Sequence, residues 1–145
     1  MEINNNPKIF LVDDNLFSLN LYQKSLEIEG YTNVSLFTNG SLCLNNLHHQ
    51  PDIIFLDHNM DEDMNGFEVL KKIKRVNPDI CVIMVSAQEN MNTAIDALKY
   101  GAFDYIIKDE QEIKKMKFVL ERIAAINEAI KKQKPTFIQR VLSIF

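Results

Sequence analysis

The chain has 145 residues and a mass of 16.8 kDa, is 46% hydrophobic and 25% charged, and so has the composition of an ordinary globular protein rather than a disordered or fibrous one. A chain of this length buries roughly two-thirds of its unfolded surface, enough for one domain with its own core and a little to spare. Its 16 basic and 20 acidic residues give a net charge of −4 and a pI near 5.4, which speaks against a protein that lives on nucleic-acid phosphates.

Residues 1–6 are polar and read as a disordered end. Residues 8–12 form a short apolar run closed by Asp13-Asp14. A helix over 15–29 follows, with Asp14 as its expected N-cap and Gly30 as its terminator. Residues 33–37 read as a weaker strand and 39–48 as a helix capped by Asn39, with Pro51 closing the link. A second apolar run, 52–56, ends in Asp57. Residues 66–76 carry Phe67, Val69, Leu70 and Ile73 at helical spacing and stop at Asn77-Pro78. Residues 80–85 lead to Ser86, a helix over 90–100 ends at Gly101, and 102–107 lead to Lys108. The last helix opens near Glu110 and is expected to reach Gln133, with 134–145 as an appended tail after Pro135.

Cys43 and Cys81 lie 38 residues apart, which is no metal or redox spacing, and read as small buried apolar side chains. His48, His49 and His58 form no metal constellation either, and His58 reads as a solvent-facing loop residue. No charged start followed by an apolar stretch opens the chain, and no apolar run approaches the ~18 residues of a membrane span. The expected location is the cytoplasm, with reduced thiols.

Apolar runs that do not alternate read as parallel strands covered on both faces. Five strand–helix units then predict an α/β fold: a doubly wound, flavodoxin-like parallel sheet in the order 2-1-3-4-5, with helices on both faces. In that order the carboxyl ends of the strands share one edge, and strands 1 and 3 are neighbours at the switch point where such folds bind ligands. Asp13, Asp14 and Asp57 should converge there, with Ser86 and Lys108 approaching from the other side. One lysine cannot neutralise three carboxylates, whereas a hard divalent cation such as Mg²⁺ can. A flavin or nucleotide phosphate would want a Gly/Ser/Thr-rich loop after strand 1, and Asp13-Asp14-Asn15 repels phosphate unless a metal intervenes.

These residues resemble the receiver domain of two-component response regulators. The resemblance covers about residues 7–130 and rests on Phe10-Leu11-Val12-Asp13-Asp14, Ile53-Ile54-Phe55-Leu56-Asp57, Val85-Ser86-Ala87, Gly101-Ala102-Phe103-Asp104-Tyr105 and Ile107-Lys108. It implies that Asp57 is the phosphoacceptor. It further implies that Asp13, Asp14, Asp57 and the backbone carbonyl of Asn59 hold Mg²⁺, that Lys108 and Ser86 contact the phosphoryl oxygens, and that Ser86 and Tyr105 form the switch. The implied partners are a sensor histidine kinase or histidine phosphotransfer protein and a downstream protein target, with no nucleic acid. Such a protein is a signalling phosphoacceptor and no enzyme in the usual sense, since it catalyses only its own phosphotransfer and autodephosphorylation. The alternative expectation is a receiver-fold scaffold that works unphosphorylated. A phosphatase with an aspartyl nucleophile is disfavoured, because position 59 is Asn where a second acid is needed.

Two stretches depart from the family pattern. Where Met-Pro-x-Met-x-Gly is usual, this chain reads Met60-Asp61-Glu62-Asp63-Met64-Asn65-Gly66, one residue longer and without proline. The lysine is usually followed by a cis proline, and here Asp109 follows, with a trans bond expected because a cis non-proline bond costs about 2.5–4 kcal/mol. Residues 131–145 are expected to be a helical extension or tail, too short for an output domain, which suggests a stand-alone receiver. Its apolar residues suggest folding back on the domain, a partner or membrane surface, or a homodimer through the last helix or tail.

Overall fold

The computed structural model describes residues 5–60, 64–87 and 90–144. Strands β1 (Ile9–Val12), β2 (Val34–Phe37), β3 (Ile53–Asp57), β4 (Cys81–Ser86) and β5 (Asp104–Ile107) pair in the order β2-β1-β3-β4-β5, every pair parallel. The expected topology is therefore the observed one. The helices are α1 (Leu16–Ile28), α2 (Gly40–Asn45), α3 (Gly66–Val76), α4 (Met91–Lys99) and α5 (Glu112–Ile144), with a short 3-10 turn over Leu47–His49.

Successive strand side chains point to opposite faces of the sheet, so one strand serves two cores. Ile9 and Leu11 of β1 join Ile53 and Phe55 of β3 beneath α1 and α5, where Leu19, Leu26, Met116 and Leu120 complete the layer. Phe10 and Val12 join Ile54 and Leu56 on the other face, beneath Cys43, Val69, Leu70, Ile73 and Ala97 of α2, α3 and α4. This explains why the strands read as continuous apolar runs: both faces of β1 and β3 are covered.

Four helices start at an asparagine in extended conformation. The side chains of Asn15, Asn39, Asn65 and Asn90 accept from the amides of Ser18, Leu42, Glu68 and Asn92. The cap of α1 is thus Asn15 and not Asp14. The amide side chain reaches the first turn, and the Asp14 carboxylate remains at the sheet edge. Gly101 after α4 has φ +103°, a left-handed turn that favours glycine. Gly66 meets a different demand: a Cβ there would lie 2.6 Å from His58 Cα and 2.7 Å from the Asp57 carbonyl oxygen. The start of α3 therefore rests directly on the end of β3.

Cys43 is buried, but Cys81 is only half-buried, at the rim of β4. Of the six residues expected to be disordered, 1–4 lie outside the described residues, and Asn6 is tied to Thr32 by two hydrogen bonds of 2.9 and 3.1 Å. Helix α5 runs past Gln133 and through Pro135 to Ile144. A proline removes one amide donor at a typical cost of about 3 kcal/mol but does not forbid the helix that continues beyond it. Past Asn127, no residue of α5 whose side chain is described is buried.

Candidate functional site

Parallel register sets the strand ends side by side. Val12 stands opposite Leu56, Asp57 opposite Val85, and Ser86 opposite Ile107, so the residues that end β1, β3, β4 and β5 meet at one edge. Asp13, Asp14 and Asp57 each place a carboxylate oxygen within 4.8 Å of the others. Among the described residues this is the one group of three or more such side chains close enough to share a cation, while His48 and His49 only stack on each other, at 4.1 Å.

The two inner acids are oriented from the backbone. Asp13 Oδ1 accepts from the Asn15 amide at 2.8 Å, and Asp57 Oδ1 accepts from the Asn59 amide at 3.2 Å. Asp13 and Asp57 are each only 3% exposed, while Asp14 is exposed at the mouth. Lys108 Nζ lies 2.8 Å from Asp13 Oδ2 and 3.5 Å from Asp57 Oδ1. The Lys108 amide donates to the Ser86 carbonyl at 2.7 Å, and Ser86 is fully buried. Tyr105 is half-buried against the core under α2, α3 and α4.

The electrostatics follow from this crowding. Burial, then the charge of Asp13, pushes the Asp57 carboxyl up to about 6; Asp14 adds to the rise, and Lys108 and the Asn59 amide oppose it. For Lys108 burial pulls downward, but the hydrogen bond it donates to Asp13 and the charges of Asp57 and Asp13 outweigh it, so the ammonium is held above its usual range. The site thus has an all-oxygen donor set with more negative charge than its one lysine cancels. That is the chemistry of a site for a hard divalent cation.

Residues 9–120 match the model of the response regulator receiver domain family. The chain belongs to that family. It is 35% identical over 131 residues to the transcriptional regulatory protein ZraR of Escherichia coli K12, a match that spans 90% of this chain and 29% of ZraR. It is 33% identical over 105 residues to the chemotaxis protein CheY of Bacillus subtilis, covering 72% of this chain and 87% of CheY. The chain therefore spans less than a third of ZraR but most of CheY. Among solved structures it superposes on a CheY-like receiver domain protein from Methanospirillum hungatei with a TM-score of 0.71 and 26% identity, covering 86% of this chain and 96% of that one. NtrX from Brucella abortus superposes with a TM-score of 0.76 and 26% identity, covering 86% of this chain and 28% of NtrX.

Within this receiver, every residue expected at the strand ends lies at the common edge, and no described peptide bond is cis, that of Lys108–Asp109 included. The acidic stretch Asp61-Glu62-Asp63 lies outside the described residues. His58 does not face solvent as expected. It is half-buried, its ring 4.5 Å from that of Phe67, because the strand that buries Asp57 toward one face turns His58 toward the other. Its Nδ1 is buried without a hydrogen-bond partner, and burial lowers its pKa. Sequence reading also missed Tyr22 and Glu112, whose side chains meet at 2.8 Å beside the acids. The available signal was a tyrosine on the inner face of α1, since a buried phenol needs an acceptor. Nothing local identifies that acceptor.

Proposed function

We propose that Asp57 is a phosphoacceptor in a two-component relay, loaded by the phosphohistidine of a sensor histidine kinase or phosphotransfer protein. An Asp57 oxygen attacks phosphorus in line. A P–O bond forms, the P–N bond breaks, and the imidazole leaves with the electron pair and regains a proton. Even pushed up to about 6, the Asp57 carboxyl is mostly ionised at neutral pH and available as nucleophile. Asp13, Asp14, Asp57 and the Asn59 carbonyl would hold Mg²⁺, which supplies positive charge to the phosphoryl oxygens when bound. Lys108 neutralises one phosphoryl oxygen and the Ser86 hydroxyl donates to another. Movement of Ser86 draws Tyr105 inward and alters the surface of β4, β5 and α4 that a downstream protein reads.

The observation that carries this reading is the pair of buried carboxylates, Asp13 and Asp57, sharing one lysine with a third carboxylate at the mouth. On this reading the chain acts as a signalling module in the cytoplasm and turns over no external substrate. No described helix is long and apolar enough to cross a membrane. Incubation with acetyl phosphate and Mg²⁺ should add one phosphoryl group by intact mass, and Asp57→Asn should abolish it. No added mass on the wild-type chain would leave an unphosphorylated scaffold as the function.

A further inference from the structure

The turn between β5 and α5 delivers Lys108 to the acids, and it is pinned along its whole length. At its start the Lys108 amide donates to the Ser86 carbonyl at 2.7 Å. In its middle Asp109 bends the chain: its carboxylate accepts from the Gln111 amide at 2.7 Å, and its carbonyl accepts from the Glu112 amide at 3.2 Å. Lys115 Nζ holds the other Asp109 oxygen at 2.9 Å. At its end Glu112, the first residue of α5, accepts from the Tyr22 hydroxyl at 2.8 Å.

Tyr22 belongs to α1, the helix that follows Asp13 and Asp14, and is 4% exposed. With Asp13, Phe55, Asp57 and Val85 it lines the small space beneath the acids. Burial and the neighbouring carboxylates, Glu112 first, keep its hydroxyl protonated and therefore a donor. One side chain thus touches both the wall of the acceptor site and the far end of the lysine's turn. Packing alone would be served by phenylalanine, so the hydroxyl is there for Glu112.

We propose that Tyr22 is a positioning residue for phosphoryl transfer: through Glu112 it anchors the start of α5, and through the β5–α5 turn it holds Lys108 between Asp13 and Asp57. This rests on the reading of Asp57 as phosphoacceptor and extends it to residues that touch neither donor nor acceptor. A lysine side chain is flexible, and its ammonium is aimed by the backbone that carries it. Proline would stiffen such a turn by fixing φ; Asp109 does not, so hydrogen bonds must supply the stiffness. A displacement of about 1 Å at a group that contacts the reacting atoms is enough to slow transfer severalfold or more.

The test is phosphorylation of the full chain by acetyl phosphate at saturating Mg²⁺, followed by intact mass against donor concentration. Tyr22→Phe should lower the maximal rate about fivefold, the worth of one hydrogen bond, and leave the half-saturating donor and Mg²⁺ concentrations within about twofold. Glu112→Gln keeps an oxygen acceptor and should retain the wild-type rate. Glu112→Ala should match Tyr22→Phe, and the double variant should be no slower than either single variant. Variants indifferent to these changes, or losses that add in the double variant, overturn the proposal while leaving Asp57 as acceptor. A wild-type chain that gains no phosphoryl group overturns both.

Discussion

Two half-buried lysines stand at opposite edges of the sheet, and they behave in opposite ways. Lys108, at the carboxyl edge, faces carboxylates and is held above its usual pKa range. Lys74, at the amino edge, donates to the carbonyls of Pro78 and Ile80 at 3.1 and 2.6 Å, and burial lowers its pKa past the opposing pull of Cys81 and Asp79. Around Lys74 lies a groove of about 330 Å³ lined largely by apolar side chains such as Ile80, Phe103, Ile123 and Ile126. Burial is common to both edges. What differs is the partner: neutral carbonyls satisfy Lys74 and end the matter, whereas Lys108 meets two carboxylates of a cluster of three, which leaves an excess of negative charge that calls for a cation.

The sharpest way to expose that excess is to remove one of the acids. The Asp57 carboxyl is pushed from 3.8 up to about 6 on folding, so the folded state holds its proton to higher pH than the unfolded state. The resulting stability is fully present below pH 4, is lost as the pH rises through 6, and is absent above. Without divalent cations, Asp57→Asn should therefore unfold at higher urea than wild type at pH 7.5, by on the order of 3 kcal/mol, with the gap closing at pH 4. A gap that persists at pH 4 would show that charge is not its source.

Exchanging the two lysines for neutral residues separates the edges. Lys108→Ala should slow phosphorylation by acetyl phosphate about a hundredfold, the usual loss when one preorganised charge partner is removed. Lys74→Met should leave that rate unchanged and cost about 1–2 kcal/mol in urea unfolding, because two carbonyls lose their donor. A slowed Lys74→Met would mean that the two edges are coupled.

The smallest effect concerns the cap beside the site. Asn15→Ala should cost about 1 kcal/mol in urea unfolding with Asp13 still in place, since the Asn15 amide that orients Asp13 is retained and only the side-chain cap on Ser18 is lost.

The residues that sequence reading placed well share a physical feature: their signals are local. Apolar runs closed by Asp13, Asp57, Ser86 and Lys108 announce strand ends, and Asn39 before helical periodicity announces a cap. The misplacements were local too, by one residue at the α1 cap and by one face at His58. Capping by Asp14 or Asn15 is decided by which side chain the strand ends claim, and the burial of His58 by the ring of Phe67, which meets it on the face opposite Asp57.

The amino-acid sequence by itself determined the order of strands and helices, the two-faced apolar pattern of β1 and β3, and the set of charged groups at one edge, because propensity, periodicity and capping act within a few residues. Only the tertiary structure decided which groups touch. Lys108 meets Asp13 across 95 positions of chain and Tyr22 meets Glu112 across 90. Such pairs are selected by how helices pack on a sheet of fixed register, a choice spread over many side chains and written in none of them singly.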